Sequence, residues 1–123
     1  MNYNPILIVT GEPNSVFLEI FFKVQKKYKI INPVILISSN KLLSMQMQKL
    51  KFKKKIKLLN PSKLNEYNLD NKTINLINVD YNPDRAFEKI SNKSNIFIEN
   101  SFNLAFKIIK KYRISKFING PIS

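Results

Sequence analysis

The sequence predicts an α/β layer fold built on parallel strands. Two continuous apolar runs, 5–10 and 33–38, are rich in β-branched residues and lack the polar alternation of half-exposed strands, which is typical of strands buried on both faces. A helical pattern follows each run, and a third helical pattern leads into a short final strand. Strands separated by helices imply parallel pairing through right-handed crossovers. A chain of 123 residues is expected to form one domain with a substantial core.

The first strand–helix unit occupies 5–28. Asn14 or Ser15 is expected to cap the helix, because a side-chain oxygen at that position accepts a backbone N–H that has no partner within the helix. Apolar residues at helical spacing give this helix one face, which comprises Phe17, Phe21, Val24 and Tyr28. Lysines gather at its C-terminal end, where the helix dipole favours cations.

The second unit repeats this order. Asn40 follows the strand over 33–38 and is the expected N-cap of a helix over 41–50. The apolar side of that helix comprises Leu43, Met47 and Leu50. The segment 51–57 carries five lysines and is expected to be a solvated turn entering a short edge strand over 55–59. A phosphate-tracking patch is the alternative explanation of this cluster.

The second half of the chain contains two further strands. Turn-forming residues end the edge strand, and 60–71 is expected to be a loop. A strand with one wetter face is expected over 73–79, followed by a turn and a short helix over 84–90. The last helix is expected over 94–112, and 116–119 form the final strand. The apolar stripe of this last helix comprises Ile98, Phe102, Ala105, Ile109 and Tyr112.

The chain has two glycines, and each directly follows a predicted strand and lies close to a proline. Because the carboxyl ends of parallel strands lie at one edge of the sheet, both turns are expected at the edge where open parallel sheets bind ligands. Glycine there permits close approach of the backbone to a ligand. The candidate cleft-edge residues are therefore Gly11, Glu12, Pro13, Gly120 and Pro121. The competing explanation is that each glycine only makes a tight strand exit.

Composition removes most catalytic arrangements from this chain. The absence of cysteine and histidine excludes disulfides, thiolate metal sites and every Ser-His or Cys-His pair. The carboxylates are scattered without metal-ligand spacing. The first turn lacks the glycines of a dinucleotide fingerprint, and Glu12 would repel a pyrophosphate at the start of the helix. No apolar run reaches membrane-spanning length and no secretion signal is present, so a cytoplasmic protein is expected.

The net charge of +13, from 21 basic and 8 acidic residues, has two explanations. A basic surface can serve nucleic acid or another anionic partner. Lys, Asn, Ile and Phe are also the residues that AT-rich codons favour. Arginine is the preferred residue for bidentate contacts to phosphates and bases, and the chain has only Arg85 and Arg113. The scarcity of arginine favours the compositional explanation.

Residues 6–13 (Ile-Leu-Ile-Val-Thr-Gly-Glu-Pro), followed by Glu19-Ile20, resemble the opening of the 4-hydroxythreonine-4-phosphate dehydrogenase family of pyridoxal-phosphate biosynthesis. Residues 34–43 are similar to that family's second strand and helix. Residues 114–122 (Ile-Ser-Lys-Phe-Ile-Asn-Gly-Pro-Ile) are similar to a later strand that leads into its Gly-Pro-(Ile/Val)-x-Lys motif. Order and spacing match along the whole chain, whereas members of the family are more than twice as long. The resemblance implies that 1–123 is a single α/β unit, the N-terminal part of a longer dehydrogenase.

The resemblance implies a three-layer α/β/α fold with a mainly parallel sheet, of the isocitrate and isopropylmalate dehydrogenase type, of which only the N-terminal part is present. It further implies NAD-dependent oxidation and decarboxylation of a phosphorylated hydroxy-amino acid, with a divalent metal, in a homodimer. The family's histidine ligands and His-Thr substrate motif lie beyond Ser123. No catalytic, cofactor-binding or metal residue is therefore assigned here, and the chain alone is expected to be inactive.

The sequence departs from the family pattern directly after the first turn. Asn14-Ser-Val-Phe-Leu18 replaces the family's Ala-Gly-Ile-Gly-Pro, and the bulky Phe17 stands at the second of those glycines. This replacement implies a reshaped first turn. Because the missing part of the fold would normally cover the final strand and the long helix, we also expect exposed apolar surface and marginal stability.

Three hypotheses about function follow. The first is the truncated dehydrogenase, which predicts that the reading frame continues with lysine after Ser123 and later supplies three separated histidines. The second is a small basic α/β protein that binds nucleic acid, motivated by the net charge and the lysines of 51–57. The third is a separate small-ligand module that uses the edge between Gly11 and Gly120, which thermal-shift screening against NAD and phosphorylated metabolites would test.

Overall fold

The computed structural model describes residues 4–83 and 92–122. In chain order the elements are β1 (Ile6–Val9), α1 (Phe17–Lys27), β2 (Val34–Ser38), α2 (Asn40–Lys49), β3 (Ile56–Leu58), a 3-10 segment (Pro61–Glu66), β4 (Ile74–Asn78), α3 (Asn92–Tyr112) and β5 (Lys116–Asn119). The helix predicted over 84–90 lies outside the described residues.

The described strands form one sheet in the order β3-β4-β2-β1-β5, and each neighbouring pair is parallel. β1 lies between β2 and β5, and β2 lies between β1 and β4. Their inner positions explain the apolar runs without alternation, because both faces of these strands are covered. β3 is an edge strand, as the lysine-rich sequence around it predicts.

Helices cover both faces of the sheet. The chain steps in one direction from β1 to β2 to β3, and in the opposite direction from β4 to β5. Right-handed crossovers therefore place α1 and α2 on one face and α3 on the other. α1 contacts α2, and α3 packs on β1 and β2. The predicted α/β fold with a mainly parallel sheet is confirmed.

The start and the buried face of α1 differ from the prediction. Val16 occupies the N-cap position without a side-chain hydrogen bond, while the Ser15 hydroxyl accepts the Phe17 N–H at 3.2 Å. Tyr28 lies just beyond the helix and is 61% exposed, so it does not belong to the apolar face. The buried residues of this helix are Leu18, Phe21 and Phe22. The helix is thus rotated so that its stripe centres on 18, 21 and 22.

Two further polar predictions were wrong. Ser39, not Asn40, caps α2, and its hydroxyl accepts the Leu42 N–H at 3.1 Å. β4 has no wetter face along Ile74–Ile77, because Asn75 is buried. The Asn75 side-chain amide donates to the carbonyls of Val34 at 2.9 Å and Asp70 at 2.7 Å. The sequence pattern predicts that the Asn75 side chain faces solvent, but internal hydrogen bonds satisfy it instead.

The predicted loop over 60–71 contains the 3-10 segment. Pro61 is placed at the start of this segment, and the Asn60 side chain accepts the Ser62 N–H at 2.9 Å. The Tyr112 hydroxyl donates to the Pro61 carbonyl at 3.0 Å and accepts the Leu64 N–H at 3.2 Å. These two hydrogen bonds therefore hold the 3-10 segment against the C-terminal end of α3, on the face of the sheet that α3 covers.

Large apolar side chains remain exposed on α3 and β5. Phe106 is 57% exposed and Ile118 is 49% exposed. The rings of Phe102, Phe106 and Phe117 form a cluster between the helix and this edge strand, with centroids 6.0 to 6.3 Å apart. No helix in the described ranges is long and apolar enough to cross a membrane.

Candidate active-site edge of the sheet

The two Gly/Pro turns lie against each other at the carboxyl edge of the sheet. β1 and β5 are neighbours, and Val9 is paired in register with Asn119 at their carboxyl ends. The Gly120 N–H donates to the Val9 carbonyl at 2.8 Å, and the Glu12 N–H donates to the Pro121 carbonyl at 2.6 Å. The strand-end rule predicts both turns at one edge of the sheet, and the structure shows that their backbones are in direct contact.

The contact between the turns requires glycine at both positions. A Cβ on Gly120 would lie 1.8 Å from the Thr10 carbonyl oxygen, and a Cβ on Gly11 would lie 2.5 Å from the Pro121 oxygen. Gly11 also has φ +76°, a conformation that other residues rarely adopt. Both glycines are therefore explained by packing of one turn on the other. Close approach to a ligand is not needed to account for them.

Glu12 is buried within the first turn. The side chain is 4% exposed, and its Oε1 accepts the Asn14 backbone N–H at 3.1 Å and the Asn14 side-chain amide at 3.2 Å. The Gln46 side-chain amide of α2 donates to the Pro13 carbonyl at 3.2 Å. These hydrogen bonds hold the turn in one conformation, and they compensate the cost of burying its polar groups.

A second polar cluster follows β2 and β4. The Ser39 hydroxyl donates to the Tyr81 carbonyl at 3.0 Å, and the Asn40 N–H donates to the Asn78 side-chain oxygen at 2.8 Å. The Asn14 side-chain amide reaches the Tyr81 hydroxyl at 3.3 Å. One network therefore joins the turn after β1 to the chain after β2 and β4.

This second cluster lies at a topological switch point. The chain leaves β2 towards α2 on one face and leaves β4 towards α3 on the other, and β2 and β4 are neighbours. Open parallel sheets bind ligands in the crevice that such a reversal creates. Sequence reasoning missed Asn78 and Tyr81 as members of this edge. The available signal was the polar carboxyl end of the strand predicted over 73–79, with Asn78 in that strand and Asp80 and Tyr81 in the turn that follows it.

Ser38, at the carboxyl end of β2, is fully buried. Among the described residues its hydroxyl oxygen has no hydrogen-bond partner. Leaving a buried polar group unpaired costs roughly 1–3 kcal/mol. The switch point therefore contains a hydroxyl group whose hydrogen-bonding capacity is unused by the part of the chain that the structure describes.

The residues of this edge do not fit a metal ion or a dinucleotide by themselves. Within 4–83 and 92–122, no group of three or more acidic side chains is arranged to hold a metal. The amides before α1 are already used: that of Glu12 by Pro121, that of Asn14 by the Glu12 carboxylate, and that of Ser15 by the Glu12 carbonyl. A helix start that is occupied in this way and carries a buried carboxylate offers no pyrophosphate cradle.

Comparison with known proteins identifies the class of fold to which this architecture belongs. No family model matches the sequence, and no curated protein matches it. Solved structures of 4-hydroxythreonine-4-phosphate dehydrogenases match it over 98–100% of this chain. The 4-hydroxythreonine-4-phosphate dehydrogenase from Burkholderia phymatum superposes with a TM-score of 0.83 at 18% identity, covering 100% of this chain and 38% of that one. The corresponding enzyme from Klebsiella pneumoniae gives 0.82 at 12% identity, covering 99% and 38%.

The chain therefore has the fold of one part of a 4-hydroxythreonine-4-phosphate dehydrogenase, and the resemblance identified from the sequence is confirmed at the level of fold. It spans 38% of the length of these enzymes. The agreement is one of fold, over 99–100% of this chain. It does not by itself transfer the neighbours' activity, which depends on particular side chains.

Proposed function

We propose that this chain is the N-terminal part of an NAD-dependent, metal-requiring oxidoreductase resembling 4-hydroxythreonine-4-phosphate dehydrogenase. The substrate would be a phosphorylated hydroxy-amino acid, which is oxidised and then decarboxylated in vitamin B6 biosynthesis. The observation that carries the proposal is the superposition of the entire chain on 38% of such an enzyme. The complete protein is proposed to be a cytoplasmic homodimer.

In this proposal the chain supplies one wall of the active-site cleft. The paired turns at Gly11 and Gly120 hold the ends of β1 and β5 rigidly, and the switch point after β2 and β4 supplies polar groups beside them. The residues that hold the metal and the cofactor would belong to the remainder of the protein. We propose that the chain alone is inactive, because the family's histidine ligands and substrate motif would lie in that remainder.

The reshaped first turn supports a substrate that differs from that of the named neighbours. Phe17 stands where the family pattern has glycine, and its ring packs 3.0 Å from the position of a Cβ on Gly120. The ring fills space beside the two turns that a glycine would leave open. We therefore propose that the cleft of the complete protein is narrower at this point.

The exposed apolar surface of α3 and β5 is where the remainder of the protein is proposed to pack. β5 is an edge strand with a half-exposed Ile118, next to the cluster formed by Phe102, Phe106 and Phe117. Apolar patches of this kind are usually covered in a stable protein. We therefore propose that the stability of residues 1–123 depends on the remainder of the protein.

The test is to follow the reading frame past Ser123 and to express it to its natural stop codon. The proposal predicts that lysine follows and that three separated histidines appear later. The purified product should then reduce NAD in the presence of a divalent metal and a phosphorylated hydroxy-amino acid. Residues 1–123 alone should show no turnover and no thermal shift with NAD.

A stop codon directly after Ser123 in an intact genome would contradict the proposal. Turnover by residues 1–123 alone would contradict the claim that the catalytic groups lie elsewhere. A shift of the melting temperature of 1–123 with NAD or with a phosphorylated metabolite would favour a separate ligand-binding module instead.

A further inference from the structure

The amino edge of the sheet, opposite the candidate active site, gathers most of the positive charge. Each α-helix connects the carboxyl end of one parallel strand to the amino end of the next, so all three helices end at the amino edge. Lysines are concentrated at those helix ends and in the segments that enter the strands. We call this surface the basic amino edge: Lys26, Lys27, Lys29, Lys49, Lys51, Lys53, Lys54, Lys55, Lys72, Lys110, Lys111, Arg113 and Lys116.

The carboxyl edge does not share this charge. Its described cations at helix starts are Lys41 in α2 and Lys93 in α3, and Lys63 lies in the 3-10 segment that follows the carboxyl end of β3. The carboxylates of Glu12 and Asp80 lie at the same edge. A compositional bias towards lysine explains the number of cations. It does not explain why they occupy one edge of the sheet.

Helix dipoles account for only part of the asymmetry. Cations in the last turn of a helix are favoured by the dipole, which covers Lys26, Lys27, Lys49, Lys110 and Lys111. Lys53 and Lys72, among others, lie beyond the helix ends. Lys51 and Arg113 adopt positive φ angles of 54° and 53°, where glycine or asparagine would be less strained. Cations are thus present even where the backbone favours a different residue.

An open cavity of about 750 Å³ lies within the basic amino edge, where the end of α1 meets the segment before β4. Its charged lining consists of one carboxylate, Asp70, against five lysines: Lys26, Lys27, Lys29, Lys54 and Lys72. Tyr28, which is 61% exposed, and Ile31, which is 94% exposed, stand among these lysines. Exposed aromatic and aliphatic side chains between cations provide a surface on which bases can stack while phosphates are neutralised.

Lys54 is half-buried, whereas the other four lysines that line the cavity are exposed. The Lys54 ammonium donates to the Gln25 side-chain oxygen, and burial lowers the pKa of this lysine, with the field of Asp70 opposing the effect. A partly desolvated ammonium that faces a cavity is stabilised by an anion placed nearby. The cavity therefore favours a negatively charged occupant.

From this charge distribution and the cavity we infer that the basic amino edge binds single-stranded nucleic acid, with the phosphates along the lysines and a base on Tyr28. This site lies on the opposite side of the sheet from the cleft proposed above and does not depend on it. The cations extend along the whole edge, which suits a chain of phosphates better than one phosphate group.

The test measures binding of a fluorescent oligonucleotide of about 20 nucleotides by anisotropy, as a function of salt, to the chain expressed to the end of its reading frame. Three variants separate location from net charge: Lys51→Gly with Arg113→Gly, the matched pair Lys41→Gln with Lys93→Gln, and Tyr28→Ala. The glycine pair removes two cations at positions of positive φ, so its thermal stability should not fall. The matched pair removes the same charge from the carboxyl edge.

We expect the glycine pair to weaken binding about tenfold and to reduce the slope of log affinity against log salt by about one to two. Tyr28→Ala should weaken binding about tenfold with the slope unchanged. The matched pair should bind within about twofold of the parent chain. Equal losses in the two charge-matched pairs would overturn the proposal, because net charge alone would then be responsible. Tighter binding to duplexes, to mononucleotides or to vesicles of anionic lipid would also overturn it.

Discussion

The two edges of the sheet use polar residues in opposite ways. At the carboxyl edge, Glu12 and Ser39 are buried and hydrogen-bonded, and two turns touch backbone to backbone. At the amino edge, most lysines are exposed around an open cavity, and Lys54 is the partly buried exception. The carboxyl edge is therefore defined by geometry and the amino edge by charge. The first suits a site that needs fixed positions, and the second suits an extended anionic partner.

The difference predicts how each edge responds to substitution. A tightly packed edge loses stability when a single atom is added, because its backbones cannot separate without breaking hydrogen bonds. An edge of solvated lysines tolerates most single changes, since exposed side chains contribute little to the free energy of unfolding. Substitutions at the two ends of one strand, β5, provide the sharpest comparison.

Gly120→Ala should have the largest effect. The added methyl group would lie 1.8 Å from the Thr10 carbonyl oxygen, so the two turns would have to separate. We expect the free energy of unfolding to fall by about 4 kcal/mol or more, which is the range of severe core disruption. Urea denaturation followed by circular dichroism measures this loss.

Lys116→Ala, at the exposed amino end of the same strand, is the matched control and should change stability by less than about 0.5 kcal/mol. Comparable losses in both variants would show that the two edges do not differ in packing. A mild effect of Gly120→Ala would show that the turns can move apart, which would weaken the argument that they form a rigid cleft wall.

Most of the fold could be predicted from local patterns. Continuous apolar runs identified β1 and β2, two of the three inner strands, and helical periodicity identified α1, α2 and α3. The strand order could not be predicted from the sequence, because no local pattern in β3 or β4 indicates that β4 lies between β2 and β3. Exact caps and buried faces were missed where neighbouring serines and asparagines compete, as Ser39 and Asn40 do at the start of α2.

The candidate site was predictable only in part. Gly11 and Gly120 stand out because glycine is rare in this chain, and the strand-end rule placed both at one edge. The packing reason for these glycines is visible only in the structure, because a contact between turns 109 residues apart leaves no local signal in the sequence. The asymmetry of charge was present in the sequence as lysines after each helix. Its meaning appeared only when parallel pairing placed all the helix ends on one edge.

Asn71→Ala should give the next largest effect, and it tests whether the amino edge contains any rigid part. The Asn71 side-chain oxygen accepts the Val34 N–H at 2.8 Å, and its amide donates to the carbonyls of Ile30 at 3.0 Å and Asn32 at 2.7 Å. Removing three hydrogen bonds should cost about 2–3 kcal/mol of unfolding free energy. Asn68→Ala, at a nearby exposed asparagine, should change stability by less than about 0.5 kcal/mol. Equal losses of unfolding free energy in Asn71→Ala and Asn68→Ala would show that the hydrogen bonds of Asn71 do not make any part of the amino edge rigid.

The smallest predicted effects distinguish two adjacent serines of the carboxyl edge. Ser39→Ala removes the cap of α2 and the hydrogen bond to the Tyr81 carbonyl, so we expect a loss of about 1–2 kcal/mol. Ser38→Ala removes a buried hydroxyl that has no partner among the described residues, so stability should stay unchanged or rise by up to about 1 kcal/mol. Thermal and urea unfolding of both variants measure the difference. A loss in Ser38→Ala as large as that in Ser39→Ala would mean that a buried water or another group satisfies the Ser38 hydroxyl, which would then not be available to a ligand.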